Sequence, residues 1–270
     1  MDKILDLVTD PYDRKARATP ALLTVLPVVA PLVCQFGAKN PVLTGIVGVL
    51  GTCGAIYAAA SIARGRGKLL EESLVKEWGG MPTTILLRHC DSHLESGTKR
   101  RYHLDALVRL GIQLPTAVQE EADPAAADDA YRSVARRLRE LTREDKKLLL
   151  KENIAYGFHR NMLAMKGIGI FLSILGVIYG LALAGAINLD PFAFDVHGLL
   201  PPGLSGGLTL LVSLAMFAAW IGYFNKAQVR VMGNVYAERL FEKLATLPKQ
   251  RGKGPASPVS MAPLSPTSLP

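Results

Sequence analysis

The chain has 270 residues, of which 49% are apolar and 20% charged, with a formal charge of +8 and a mean hydropathy of +0.22. A positive mean hydropathy with so little charge indicates apolar residues gathered in long runs, as in membrane proteins, and excludes disorder over most of the length. Three cysteines, an odd number, exclude a disulfide scaffold in a chain of this size.

Four uncharged apolar runs are long enough to cross a membrane as helices. They cover residues 20–38, 42–63, 167–189 and 203–224. A hydrocarbon core about 30 Å thick needs roughly 20 helical residues at 1.5 Å each. The first run follows several aspartates and is soon followed by a second run, so we expect a retained anchor and not a cleaved signal peptide. The sequence therefore predicts an all-α membrane protein with four transmembrane helices arranged as two hairpins.

The charges beside these runs predict their orientation, because Lys and Arg near span ends stay in the cytoplasm. The stretch from Arg64 to Lys166 contains 19 Lys and Arg, and the stretch after Phe224 contains 7. The connection between the first two runs contains only Lys39, and the connection between the last two contains none. Both termini and the central segment are therefore expected on the cytoplasmic side.

This orientation divides the chain into six segments. We expect a cytoplasmic N-terminal segment at 1–19, transmembrane hairpins at 20–63 and 167–224, a helical cytoplasmic insert at 64–166, a cytoplasmic helix at 225–246 and a disordered proline-rich tail at 247–270. Helices are expected to continue from the second and fourth runs into the cytoplasm, with Leu74 and Leu240 facing inward. The tail contains six prolines amid Ser, Gly and Ala, a composition that cannot bury a core.

The first run has two prolines, Pro27 and Pro31, in its middle and Gln35 near its outer end. Each proline removes a ladder hydrogen bond, so backbone carbonyls there need other partners. This helix could therefore be the hinge or lining of a gated pore. Prolines are also common in membrane helices without such a role, and the sequence leaves both readings open.

Small residues recur at helical spacing in the second and third runs. They are Gly48, Gly51, Ala55, Gly176 and Gly180. Such spacing lets apolar helices approach closely, which favours packing either within the four helices or between copies of a homo-oligomer. None of the four runs contains Asp, Glu, Lys, Arg or His, and this argues against an ion-coupled carrier.

The insert contains three helical patterns. The first covers Thr98 to Leu110 and should stop at Gly111. The second begins with Asp123 as the cap and Pro124 at the first position, and it runs to about Arg143. Its apolar stripe consists of Ala127, Tyr131, Val134, Leu138 and Leu141. The third starts near Asp145 and should enter the third run, whereas residues 82–94 are ambiguous between strand and short helix.

Arginines in the second pattern are the candidate ligand-binding residues of the insert. They are Arg132, Arg136, Arg137, Arg139 and Arg143. Guanidinium groups bind phosphates in a bidentate manner, so this run could hold a nucleotide or another anionic partner. A solvated face close to anionic lipid headgroups explains the same residues.

Metal and enzyme chemistry find little support. His89, Cys90, His93 and His103 form the only cluster of metal-capable residues, and it lacks the second tight pair of a closed zinc site, so its role stays open. We found no Walker loop, dinucleotide glycine motif or Ser/His/Asp motif in the sequence. We therefore expect no cofactor, no metal, no catalysis and no nucleic acid polymer as a partner.

The layout resembles a known family: the four-transmembrane effectors found beside bacterial cyclic-oligonucleotide synthases in anti-phage systems. At residue level the resemblance rests on Glu71-Glu72 through Pro82, and on Asn153-Ile-Ala-Tyr156 with Arg160 just before the third run. It implies a bacterial inner-membrane protein whose helices rearrange and breach the membrane when a cytoplasmic signal arrives. It identifies no binding residue by position.

Two functions are compatible with these features. The first is a membrane-disrupting effector whose insert senses a signal, such as a cyclic nucleotide, and whose oligomerised spans open a pore. The alternative is a non-enzymatic scaffold or signalling subunit whose insert docks a cytoplasmic protein. A transporter or a membrane-embedded enzyme fits less well, because the runs contain no ionisable residue.

Overall fold

The structure is a computed structural model that describes residues 10–36, 41–143, 148–189 and 192–249. Within these ranges the side chains of 33–36, 41–56, 189, 192 and 199 lie outside the description. The described chain is mostly helical, as predicted. Its α-helices are α1 (Pro11–Asp13), α2 (Thr19–Phe36), α3 (Pro41–Trp78), α4 (Pro82–Ile85), α5 (Ser96–Asp105), α6 (Ala117–Ala122), α7 (Pro124–Leu141), α8 (Leu148–Leu183), α9 (Gly203–Gly222) and α10 (Lys226–Glu242).

Shorter elements join these helices. Five-residue π-helices cover Arg14–Ala18 and Ala106–Leu110, and 3₁₀ turns cover Val196–Leu199 and Lys243–Thr246. An antiparallel ribbon pairs β1 (Ile187–Leu189) with β2 (Phe192–Phe194). The ribbon adds a short β element that the all-α prediction did not contain.

Two of the described helices, α8 and α9, are long and apolar enough to cross a membrane. Only 28% of the most apolar window of α8 and 22% of that of α9 is buried, whereas a core helix of a soluble protein would be mostly buried. Large apolar side chains face outward on both helices, among them Phe171, Ile174 and Leu175 on α8 and Leu204 and Leu211 on α9. Outward apolar faces are expected of helices that contact lipid.

Only some of the residues predicted to matter in the first two runs have described side chains. Gln35, Gly48, Gly51 and Ala55 lie within α2 and α3, but their side chains lie outside the described residues. The expected continuation of the second run is confirmed, because α3 extends without a break to Trp78. Leu74 is 1% exposed, as its predicted inward position requires.

The boundaries of the third and fourth runs were partly wrong. Helix α8 ends at Leu183 and not at residue 189, and Gly185 then adopts a left-handed φ of 77° that leads into the ribbon. Helix α9 ends at Gly222, so the expected continuous helix is interrupted. Asn225 accepts a 2.9 Å hydrogen bond from the N–H of Gln228, and this cap starts α10 as a separate helix.

The chain forms two compact units. Unit 1 combines Met1–Ile85 with Arg143–Arg239, and unit 2 combines Leu86–Thr142 with Leu240–Pro270, each within its described residues. The segment 64–166, predicted as one insert, is therefore divided between them. Only its central part belongs to unit 2, and its flanks are the polar ends of α3 and α8.

In unit 2, the structure confirms the predicted helix start at Asp123 and the predicted helix stop at Gly111. The Asp123 side chain accepts a hydrogen bond from the Ala126 N–H at 3.0 Å with Pro124 at the first helical position, and Gly111 ends the 96–110 helical stretch with φ 67°. The apolar stripe is buried through Leu138. The helix ends at Leu141, close to the predicted end near Arg143, but the last predicted member of the stripe was wrong, because Leu141 is 45% exposed.

Candidate functional site

A cluster of polar side chains in unit 1 lies where α3 and α8 change from apolar to charged sequence. We call it the Glu71 cluster and define it as Glu71, Tyr156, Arg160 and Asn161. Tyr156 and Arg160 lie four residues apart on α8, so they share one face of the helix. The Glu71 carboxylate accepts hydrogen bonds from the Tyr156 hydroxyl at 2.8 Å and from Arg160 Nη1 at 2.9 Å.

Asn161 connects this cluster to the N-terminal segment. It is fully buried, and its Nδ2 donates to the carbonyl oxygen of Ala16 at 2.6 Å. Ala16 lies in the π-helix Arg14–Ala18, whose altered hydrogen-bond ladder places this carbonyl against α8. Gly67 makes the contact possible, since a Cβ there would stand 2.0 Å from Asn161 Oδ1.

The electrostatics of the Glu71 cluster fix its protonation. Burial and the neighbouring Glu71 carboxylate raise the pKa of Tyr156, so the phenol stays a neutral donor. The ion pair of Arg160 with Glu71 is mostly buried, with side-chain exposures of 12% and 21%. Loss of one partner of such a pair strongly destabilises the protein, because the other charge stays buried in surroundings of low dielectric constant. The cluster therefore holds the N-terminal segment, α3 and α8 together through polar contacts. It offers no nucleophile.

The residues that carry the family resemblance meet in this cluster. Glu71 comes from the first quoted segment, and Tyr156 and Arg160 come from the second. Pro82, the end of the first segment, also contacts this region: a Cβ at Gly233 on α10 would lie 2.9 Å from Pro82 Cγ and 3.3 Å from Tyr156 Cε2. These contacts were not predicted from the sequence, because Glu71 is 85 residues from Tyr156 and 89 residues from Arg160 along the chain.

A second organised region lies in unit 2, in the turns after α4. Backbone groups of residues 87–91 are bound there by side chains from α5 and α6. Glu120 accepts from the N–H groups of His89 at 2.8 Å and Cys90 at 3.3 Å. The Tyr131 hydroxyl, on α7, donates to the same carboxylate at 2.5 Å. Burial raises the pKa of Glu120, but these hydrogen bonds outweigh it and lower the pKa overall.

Further contacts complete this region. Arg88 binds Asp128 in a bidentate manner, with distances of 2.8 Å and 2.7 Å. His103 Nε2 lies 2.8 Å from the Leu87 carbonyl oxygen, and His89 Nε2 lies 3.0 Å from that of Pro115. Burial and Glu120 raise the pKa of the Cys90 thiol, which disfavours the reactive thiolate.

Of the histidines and cysteine singled out in the sequence, His89 and His103 therefore fix this loop through their rings. Among the described residues, no group of three His, Cys, Asp or Glu side chains could hold a metal ion. His89 and His103 contact each other edge to face, with ring centroids 4.8 Å apart. Their ring nitrogens bind carbonyl oxygens, which explains why these residue types occur together.

The predicted arginine site lies on an exposed surface. Arg132, Arg136, Arg137 and Arg139 are all exposed on α7, and Arg143 follows the helix end in the other compact unit. Arg132 pairs with Asp129, and Arg137 pairs with Glu140 at 3.1 Å. Exposed pairs of this kind contribute little, and the solvated-face reading fits them well.

Three helices of unit 1 cross at Gly176. A Cβ at this position would lie 2.3 Å from Ser213 Oγ on α9 and 2.9 Å from the Pro27 carbonyl oxygen on α2. Pro31 has no N–H to donate to that carbonyl, although α2 continues through both prolines. Ser213 Oγ is buried without a hydrogen-bond partner among the described residues. Gly180 allows a similar approach, with Leu210 Cγ 2.9 Å from its Cβ position.

Comparison with protein-family models, with curated proteins and with solved structures gives no match to this chain. The resemblance to the four-transmembrane effectors therefore stays a prediction. The contacts of the Glu71 cluster are independent of it, since they follow from the geometry of unit 1 alone.

Proposed function

We propose that the chain is a non-enzymatic protein of a bacterial inner membrane that permeabilises the membrane when a cytoplasmic signal arrives. It has four spans, with both termini and unit 2 on the cytoplasmic side, and it acts as a homo-oligomer. The signal is a cyclic nucleotide or a cytoplasmic protein, and the setting is anti-phage defence. The outward apolar faces of α8 and α9, together with the apolar sequence of 20–38 and 42–63, support the spans.

The Glu71 cluster is the observation that carries this proposal. It ties the N-terminal segment, α3 and α8 together at the ends where each passes from apolar to charged sequence. A signal that moves the polar end of α3 would pull Glu71 away from Tyr156 and Arg160. Because Asn161, next to Arg160 on α8, holds Ala16, the movement would reach α2 as well.

The crossing at Gly176 supplies polar atoms within the apolar helices. The Pro27 carbonyl and the Ser213 hydroxyl meet there, and both lack the hydrogen bond that their position would normally provide. Separation of α2 from α8 and α9 would expose these atoms to a water-filled path. Uncharged spans that open in this way suit a non-selective leak better than a coupled carrier.

Dye release from liposomes tests the proposal. Purified full-length protein is reconstituted, and release is followed with and without a panel of cyclic mono- and dinucleotides. We expect the Glu71→Gln protein to release dye without ligand, or at a lower ligand concentration, because the contacts that hold α3 to α8 are weakened. Glu77→Gln, which removes an exposed pair with Lys226, is the matched control and should behave as the wild type. Intact liposomes under every ligand, with both variants equally silent, would contradict the proposal.

The alternative, a membrane scaffold or signalling subunit, is favoured by the surface of unit 2. Val118 is 76% exposed and Val108 is 45% exposed, so both apolar side chains are available to a partner. A cytoplasmic protein docked by this unit would cover them. Affinity purification that recovers one stoichiometric partner, lost on Val118→Asp, together with silent liposomes, would select this function.

A further inference from the structure

Unit 2 contains a groove of about 730 Å³ beside α5. This volume is in the range of sites for small organic molecules. The residues that give the groove its chemistry are His89, Lys99, Arg100, His103, Leu104 and Leu107. None of the arginines of α7 lines it.

Lys99 is the most informative of these residues, because it is only 6% exposed. Its Nζ donates to the carbonyl oxygens of Arg88, at 2.6 Å, and of Asp91. An ammonium group has three protons, so these two carbonyls leave one available. No carboxylate of the described residues lies within 4.0 Å of it.

A buried ammonium without a carboxylate is costly, because carbonyl dipoles replace only part of its lost hydration. Asp91 and Glu95 also line the groove, but neither pairs with Lys99, and the Asp91 carboxylate accepts the His93 N–H at 3.0 Å. An anion in the groove would supply the missing opposite charge. Arg100, which follows Lys99 on α5, is exposed and also lines the groove, so it adds a second cationic group there.

The remaining walls indicate what the anion is attached to. Leu104 is 58% exposed and Leu107 is 45% exposed, so an apolar or planar group could cover both. His89 and His103 each direct Nε2 at a backbone carbonyl, which requires the proton on Nε2. Burial lowers the pKa of His103, so its Nδ1 is an acceptor for a donor group on the ligand.

We propose that this groove binds a small organic anion, a phosphate or carboxylate attached to an apolar or planar body, with the anionic group at Lys99 and Arg100. The inference rests on the proposed function in one respect, since such an anion would be the cytoplasmic signal that unit 2 receives. Binding itself does not require the membrane to leak, and the two can be measured separately.

Calorimetric titration of the full-length protein in lipid nanodiscs tests the groove. The probes are AMP, adenosine, inorganic phosphate and hexanoate. We expect AMP to bind at least tenfold more tightly than uncharged adenosine, because a charge-assisted hydrogen bond is lost in the nucleoside. Arg100→Gln should weaken AMP binding about tenfold for the same reason. Arg137→Gln, an arginine of α7 outside the groove, is the matched control and should leave binding unchanged.

The probes also separate the sources of the anion. Preference for AMP over hexanoate assigns a soluble phosphate on a planar group, whereas preference for hexanoate assigns an acyl carboxylate, and both support the site. Lys99→Met should abolish binding. If that variant unfolds, Leu104→Asp replaces it as the second test, since it repels the anion from an exposed position.

Three results would overturn the groove as an anion site. They are no binding of any anionic probe at millimolar concentration to a folded chain, equal affinity for AMP and adenosine in a folded chain that does not bind hexanoate, or equal weakening by Arg100→Gln and Arg137→Gln. Binding of AMP without dye release would contradict permeabilisation but leave the groove intact. Ligand-dependent dye release that Arg100→Gln does not alter would support permeabilisation but contradict the groove as the anion site.

Discussion

Glu71 is the single acceptor on which two donors from α8 converge. Its carboxylate receives the neutral Tyr156 hydroxyl and the Arg160 guanidinium, which also lies 5.9 Å from the centre of the Tyr156 ring. This arrangement pairs a mostly buried positive charge with one carboxylate, while Nε and Nη2 of the guanidinium donate to Asn161 Oδ1 at 3.3 Å and 3.4 Å. The residue therefore contributes far more than an exposed glutamate at a similar position in the sequence.

Replacement of Glu71 by Gln should destabilise unit 1. The amide keeps the shape of the side chain but leaves Arg160 without its anion, and we expect a loss of about 2 kcal/mol. Glu77→Gln, which removes an exposed pair on the same helix, should cost less than about 0.5 kcal/mol. Thermal unfolding in nanodiscs, followed by the fluorescence of Trp78 and Trp220, compares the two. Equal melting temperatures would show that the buried pair contributes nothing.

His103 makes the stability of unit 2 depend on pH. Burial lowers its pKa from the ordinary value of 6.5, despite the opposing contact with the Leu87 carbonyl. A lowered pKa means that the unfolded chain takes up the proton first, so stability is complete above pH 6.5 and falls as the pH drops below it. Hydrogen exchange of unit 2 peptides, corrected for intrinsic rates, should show protection that decreases as the pH falls below 6.5.

The variant His103→Gln isolates this effect, because its amide can still donate to the Leu87 carbonyl but does not titrate. Its protection should change less than that of the wild type over the same pH interval. His197→Gln, on the exposed connection after the ribbon, is the control and should retain the wild-type pH response. A pH response of unit 2 that survives in His103→Gln would assign it to other groups.

Helix α8 is the element on which the packing of unit 1 depends. It contacts α2, α3 and α9, and glycines on it allow the close approach of α2 and α9. At Gly169 a Cβ would stand 2.1 Å from the Trp220 ring, which lies fully buried on α9. The same helix also carries Gly167, where a Cβ would meet nothing within 4 Å. Small residues therefore have different roles at positions only a few residues apart.

Gly176→Ala should force α2 and α9 away from α8. The added methyl would collide with Ser213 and Pro27, and overpacking of this kind costs about 1–3 kcal/mol. Gly167→Ala on the same helix should be neutral or stabilising by about 0.5–1 kcal/mol, because alanine favours the helix. Melting temperatures in nanodiscs distinguish them. A Gly176→Ala protein as stable as the wild type would mean that the crossing is loose.

Local signals predicted some elements well. The helix start at Asp123 and Pro124 and the helix stop at Gly111 depend only on residues close in sequence, and the structure has both. Hydropathy identified α8 and α9 but not their ends. A run of apolar residues has the same hydropathy whether it continues as a helix or turns into a ribbon, so the end at Leu183 was missed. The new start after Asn225 depended on one capping side chain.

The candidate sites were harder to predict, because they depend on contacts distant in sequence. Arginines at helical spacing drew attention to α7, yet that face is solvated, and the groove lies beside Lys99 and Arg100. Glu120 and Asn161 gave no local signal, since one buried acid or amide looks like any surface residue until its neighbours are known.

At the scale of the whole molecule, the proposed topology places Cys90 and the ribbon on opposite sides of the membrane. Cys90 is exposed in unit 2, and the connection from Asp190 to Pro202 contains no Lys or Arg. In a background with Cys34 and Cys53 replaced by Ala, an impermeant maleimide should label Cys90 only from the cytoplasmic side. Labelling is done at pH 8.5, because the pKa of this thiol is raised.

The complementary variant reports from the other side. With Cys90 also replaced by Ala, Asp195→Cys should be labelled in intact spheroplasts without permeabilisation. Labelling of both cysteines from the same side would contradict a four-span arrangement with cytoplasmic termini. It would leave α8 and α9 as apolar helices whose insertion needs another explanation.

The close fit of Gly67 against Asn161 has a consequence for the evolution of the chain. The hydrogen of Gly67 leaves the only space in which the Asn161 amide can lie, while that amide holds the Ala16 carbonyl. Neither position can change first without loss: a side chain at 67 displaces the amide, and a shorter residue at 161 strands the carbonyl. In homologues these two sites should therefore covary, and a lineage that abandons one should have abandoned both.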